Sequence, residues 1–187
     1  MTASFPVPDI DLVVRKAADA IFGKPLVTNV MRGQLVEAIV ACALEPEWTW
    51  CAADYSSWDF ERADGLRLEI KQSASRQSWT VEGGAPSRPS FDIASRKGRW
   101  EGPDWIEEPG RAAHIYVLAH HAVADASADH RDVSQWHFYV VPTSILPTTM
   151  RISLAGVRLL AQPLLYGQLA EAIQAAADQV LALRAAG

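Results

Sequence analysis

The sequence predicts an α/β domain with a mixed five-stranded sheet flanked by helices, and three observations predict it. Two apolar patterns of helical spacing open the chain, and an alanine-rich one closes it. Five short segments rich in β-branched and aromatic residues lie between them. An Asp-Gly pair joins two of these as an antiparallel hairpin, while the last two strands follow a long connection, so the sheet is mixed.

The elements follow in order. "DIDLVVRKAADAIFG" carries Ile10, Val13, Val14, Ala17, Ala18, Ile21 and Phe22 on one helical face, with Asp9 to cap it and Gly23 to end it. "RGQLVEAIVACAL" is a second helix, with Leu35, Ile39, Val40 and Ala43 expected on its buried side. "WTWCAADY" is the first strand, and "SWDFE" and "LRLEIK" are the next two. They are joined through Asp64-Gly65, where Gly accepts positive φ and Asp tolerates a left-handed backbone. Leu66, Leu68 and Ile70 alternate with Arg67, Glu69 and Lys71, so one face of this strand meets the core and the other presents charge. Residues 80–111 are rich in Gly, Pro, Ser and Arg and read as mostly irregular, with "SFDIA" as a short strand. "AAHIYVLAHH" is an apolar strand expected near the middle of the sheet, and "QWHFYVVP" is the last. "YGQLAEAIQAAADQVLALRAA" is the closing helix.

With 187 residues, the chain can form one domain with a substantial core. Residues 1–187 read as a single unit, with a core over about 33–142, an N-terminal helix over 9–23 and a C-terminal helix over about 166–185. No apolar run reaches the roughly 18 residues of a membrane span. The opening residues lack the basic start and apolar stretch of a signal peptide. The expected location is cytoplasmic, with no membrane partner. Cys42 and Cys51 cannot build a disulfide framework and lack zinc-site spacing, and Cys42 is expected as a small buried side chain. The five histidines match no zinc pattern and read as structural or surface residues.

The net charge of −5 argues against avid non-specific binding of nucleic acid. Residues 61–99, however, carry a net charge of +3, leaving −8 elsewhere. Within and beside this basic stretch, Arg76, Gln77, Arg96, Lys97 and Arg99 are the candidate nucleic-acid contacts. Trp58, Trp79, Trp100 and Trp105 flank it, and can either stack on unpaired bases or pack the rim of the core.

The candidate chemistry lies in "WDFERADGLRLEIKQS". Asp59 and Glu69, from adjacent strands, can clamp a divalent cation, which needs few protein oxygens when it is Mg²⁺. Asp54 competes with Asp59 for this role, and Asp59 is preferred because it belongs to the hairpin that presents Glu69. Lys71 lies two residues from Glu69 and so on the same face, where an ammonium can orient water or offset developing negative charge. The Ile70 carbonyl lies between them as a further ligand, and Glu37, on the polar flank of the second helix, is a further carboxylate.

Asp59, Glu69 and Lys71, preceded by the helix acid Glu37, resemble the PD-(D/E)XK nuclease superfamily, which has the restriction-endonuclease-like fold. Trp58 stands where the motif's proline would be. The family core is helix, three strands, helix, strand, and the order here follows it from residue 33 to about 119. "SASRQSW" is the candidate start of the second core helix. The resemblance implies that Asp59 and Glu69 hold Mg²⁺ or Mn²⁺, that Lys71 is catalytic, and that Gln72 or Gln77 assists. It implies cleavage of phosphodiester bonds, in DNA or less often RNA, and many such nucleases act as homodimers. Two other readings stay open. One is a catalytically silent module of the same fold that binds nucleic acid. The other is a protein-interaction module that uses the apolar C-terminal helix to oligomerise.

Overall fold

The computed structural model describes residues 7–52, 56–101 and 103–186. Helix α1 (Ile10–Phe22) begins where the Asp9 carboxylate accepts the Leu12 amide at 2.6 Å, and ends where the Gly23 amide donates to the Asp19 carbonyl. None of its residues is buried, and Ile10, Val13 and Val14 are exposed; of its apolar stripe only Phe22, at the C-terminal end, is half-buried. Helix α2 (Asn29–Leu44) buries Val36, Ile39, Val40 and Leu44, while Leu35 and Ala43 are half-buried at the core's margin. Cys42 is exposed rather than buried, and lines a shallow apolar depression with Ala38 and Tyr166.

Strands β1 (Trp48–Trp50), β2 (Phe60–Arg62) and β3 (Arg67–Ala74) form an antiparallel meander. The β2–β3 turn is tied by the Gly65 amide on the Arg62 carbonyl and by an Arg62–Asp64 ion pair. Gly65 takes φ +77°, the conformation for which glycine was expected. Strand β4 (Ser90–Asp92) and the hairpin β5 (Arg99–Glu101)–β6 (Asp104–Ile106) lie in the connection to β7 (Ile115–His121). Strands β8 (Trp136–Pro142) and β9 (Arg151–Ser153), the short helix α3 (Leu154–Val157) and helix α4 (Leu169–Ala186) complete the chain.

The five-stranded sheet has the order β1-β2-β3-β7-β8. It is mixed: β3 and β7 are parallel, and the other neighbours are antiparallel. Strand β7 is an interior strand, buried along its length, beside β3 at the centre of the sheet. A parallel pair needs a crossover, usually a helix. Here the crossover contains β4, β5 and β6, with no helix among its described residues. "SASRQSW" does not begin a helix, because β3 runs on to Ala74 and the chain then turns. Strand β4 leaves the main sheet and pairs with β9, Phe91 opposite Ile152.

Two apolar layers result. On one face, Phe60, Leu68, Ile70, Val117 and Phe138 meet α2 and α4. On the other, Tyr116, Leu118, Tyr139 and Val141 are covered by Phe91, Ile93, Ile152 and Val157 from the crossover and the β9–α3 segment. Each fully buried large apolar side chain contributes about 1.5–3 kcal/mol relative to exposure, so the irregular layer is held by burial as the helical one is. No described helix is long and apolar enough to cross a membrane.

Candidate functional site

A mismatch in strand length creates the site. Strand β2 pairs with β3 only through Phe60–Leu68 and Glu61–Arg67, whereas β7 pairs with β3 along Leu68–Ala74. Beyond Leu68, β3 therefore has an open edge where β2 bends away. Asp59 fills the first gap: its amide donates to the Leu68 carbonyl, and its Oδ2 accepts the Ile70 amide at 2.6 Å. The N–H and C=O of one strand residue point to the same side. The Ile70 carbonyl therefore faces the open edge beside the Asp59 carboxylate.

Glu69 and Lys71 project from the opposite face to Leu68 and Ile70, above Tyr116 and Leu118 of β7. The Lys71 ammonium donates to Glu69 Oε1. Glu37, from α2, accepts the Trp50 indole N–H at 3.1 Å. Glu37, Asp59, Ile70 and Lys71 line one groove of about 480 Å³, with Trp79 also on its wall. Glu69 lines a neighbouring cavity of about 200 Å³, and Lys71 and Asp92 border both.

Electrostatics bind these groups together. Burial raises the Asp59 carboxyl to about 8, with repulsion from Glu69 and Glu37 adding to it. Burial also raises Glu69, against the attraction of Lys71. Burial alone would lower Lys71, but Glu69 and then Asp59 outweigh it, and its pKa lies above the ordinary value. Lys71 is therefore a resident positive charge at neutral pH, not a base. Burial, followed by the Glu69 charge, raises the Tyr116 hydroxyl to about 12.

The sequence-derived nucleic-acid residues are divided between several places. Gln77 is buried and lines the groove; its Nε2 donates to the Ala74 carbonyl, and its Oε1 has no partner among the described residues. Arg76 is half-buried, its carbonyl 3.0 Å from His130 Nε2. Arg96 pairs with Asp92 at 2.9 Å beside the smaller cavity. Lys97 is exposed. Arg99 is neutralised by Glu101 and Glu108, which ties down the β5–β6 hairpin. Trp58 packs into the second apolar layer with the Arg67 guanidinium 3.7 Å from its ring, whereas Trp79, Trp100 and Trp105 are exposed. Of the histidines, His120, His121 and His130 are buried. Asp54 lies outside the described residues.

Sequence reasoning missed Arg32 and Arg151, which also line the groove. Arg32 sits in an apolar helical pattern where an arginine reads as a surface residue, and Arg151 arrives from a distant strand. The signal for Arg32 was its place on α2's buried side, one turn before Val36.

Among the described residues, no group of three or more His, Cys, Asp or Glu side chains is arranged to hold a metal ion. The donor set nevertheless suits a hard cation: half-buried carboxylates that repel one another, beside an open-edge carbonyl. Mg²⁺ retains several waters and needs only one or two carboxylates. Compared with protein-family models and with curated proteins, the sequence matches none.

Proposed function

We propose that the chain is a divalent-metal-dependent phosphodiesterase of the PD-(D/E)XK type, with a restriction-endonuclease-like core, acting on DNA. The carrying observation is the Asp59 carboxylate bonded to the Ile70 amide, between Glu69 and Lys71 on the open edge of β3. The order α2, β1, β2, β3, crossover, β7 supports the same reading, although strands replace the core helix.

Asp59, Glu69 and the Ile70 carbonyl would hold Mg²⁺ or Mn²⁺, with Glu37 as a further acid. Such an ion neutralises phosphate charge and acidifies water. The chain's own contributions are distinct. Asp59 and Glu69, both raised in pKa, gain a reason to ionise when a cation arrives. Lys71 keeps its proton and offers positive charge to an anionic phosphate. Tyr116 stays protonated beneath Glu69. The reading carries with it a cytoplasmic location and permits a homodimer.

The test is cleavage of single-stranded, duplex and branched DNA, and of RNA, in Mg²⁺ or Mn²⁺ by wild-type protein, Glu69→Ala and Lys71→Ala. Equal cleavage by all three ends the proposal. The Glu69–Lys71 ion pair, together with the lack of a three-donor cluster among the described residues, favours a second reading in which the groove binds nucleic acid without cutting it. That reading predicts salt-sensitive affinity and no cleavage.

A further inference from the structure

We infer that Arg32, oriented by Gln72 and Asn29, is a phosphate seat in the wall of the groove, taking either a phosphodiester within a strand or a terminal phosphomonoester. The inference rests on the reading of this groove as a nucleic-acid site.

Arg32 lies in the first turn of α2 and is 1% exposed. Its Nε donates to Gln72 Oε1 at 2.6 Å and its Nη2 to Asn29 Oδ1 at 2.8 Å. Both acceptors are neutral amides. The Gln72 amide in turn bonds the Asn29 carbonyl and Oδ1, so the two acceptors hold each other in place. Nη1 is buried and has no partner among the described residues. No described carboxylate lies within ion-pair distance of the guanidinium. A buried charge without a counter-ion is costly, and burial lowers this guanidinium to about 10. The planar fork left over matches a phosphate in two-pronged geometry. Arg88 and Arg151 line the same groove, and neither makes an ion pair among the described residues.

Gly33 supplies an independent observation. It follows Arg32 on α2 and lines the groove, and a Cβ built there would meet nothing within 4 Å. Glycine within a helix is unfavourable relative to alanine. Close packing does not require it here, since the space beside it is open. A side chain at this position would instead extend into open space at the groove that Arg32 also lines, narrowing the room for a phosphate and its sugar.

The experiment measures anisotropy of labelled single-stranded oligonucleotides carrying a 5′-phosphate or a 5′-hydroxyl, in Ca²⁺. Wild-type protein is compared with Arg32→Lys, which keeps the charge and loses the fork, and with Gly33→Leu, which fills the groove. Both variants are expected to bind about tenfold more weakly, with Gly33→Leu melting at or above the wild-type temperature. Weakening confined to 5′-phosphorylated strands assigns the seat to a terminal phosphate, and equal weakening assigns it to an internal one. Wild-type affinity in Gly33→Leu overturns the seat, as does an absence of binding by the wild type. Parallel cleavage assays in Mg²⁺ separate the two proposals. Glu69-dependent cutting with an Arg32-independent affinity removes the seat alone. An Arg32-dependent affinity with cutting indifferent to Glu69 removes the nuclease alone.

Discussion

The Asp59 carboxylate takes the Ile70 amide at 2.6 Å, standing in for the strand partner that β2 no longer provides. One side chain thus satisfies an open sheet edge and brings an acid to the point where β3 presents Glu69 and Lys71. The arrangement stores electrostatic repulsion: burial and two neighbouring acids raise Asp59 from 3.8 to about 8.

That repulsion makes stability depend on both pH and metal. A carboxyl raised in the folded state supports folding most below its unfolded pKa, and its contribution is lost as pH rises through the folded value. For Asp59 the window runs from about 4 to about 8. The metal-free protein is expected to lose melting temperature across it, and millimolar Mg²⁺ or Mn²⁺ to restore several degrees at pH 8. Metal binding at pH 7 should release protons, measurable by titration calorimetry in buffers of different ionisation enthalpy. A metal response that is flat with pH and releases no protons would count against the site.

Asp59→Asn keeps an acceptor for the Ile70 amide and removes the charge. Its metal-free melting temperature at pH 8 is expected to equal or exceed that of the wild type, by up to about 1–2 kcal/mol in stability. Cleavage and the metal-dependent shift should both disappear. Loss of the metal-free fold on this substitution would show that the charge itself is needed.

Glu69 and Lys71 are expected to behave as a coupled pair. Lys71→Met leaves Glu69 without its counter-charge, costing on the order of 1–3 kcal/mol, and Glu69→Gln in the same chain should recover part of it. Each single variant should cut at least about 10²-fold more slowly. Additive stability effects in a denaturant double-mutant cycle would contradict the ion pair.

Buried histidines predict acid lability. His130 Nδ1 accepts the Val27 amide at 3.0 Å, so Nε2 carries the proton towards the Arg76 carbonyl. His120 Nε2 lies 3.1 Å from the Ser75 hydroxyl. Burial lowers both rings from 6.5 to about 4. Their neutral forms support the fold above pH 6.5, and that support is lost as pH falls towards 4, on the order of 2–3 kcal/mol per ring. Urea midpoints from pH 7.5 to 4.5, taken on Asp59→Asn to remove the opposing Asp59 contribution, should fall. A level profile would place these rings in solvent.

Local pattern by itself determined much of this chain. The Asp9 cap, the Gly65 turn and the alternation of Leu66, Leu68 and Ile70 with Glu69 and Lys71 are short-range signals, carried by steric preference and side-chain period. They place Asp59, Ile70, Glu69 and Lys71 together because a hairpin joins its strands through neighbouring residues. Tertiary structure alone decided what the rest of the chain does. Phe91 finds Ile152 across a pairing that no local period encodes, so the crossover carries strands where a helix was expected. The inward turn of Arg32 and the outward turn of Cys42 depend on how α2 rolls against the sheet, which apolar spacing on a helix with hydrophobic residues around its circumference does not specify.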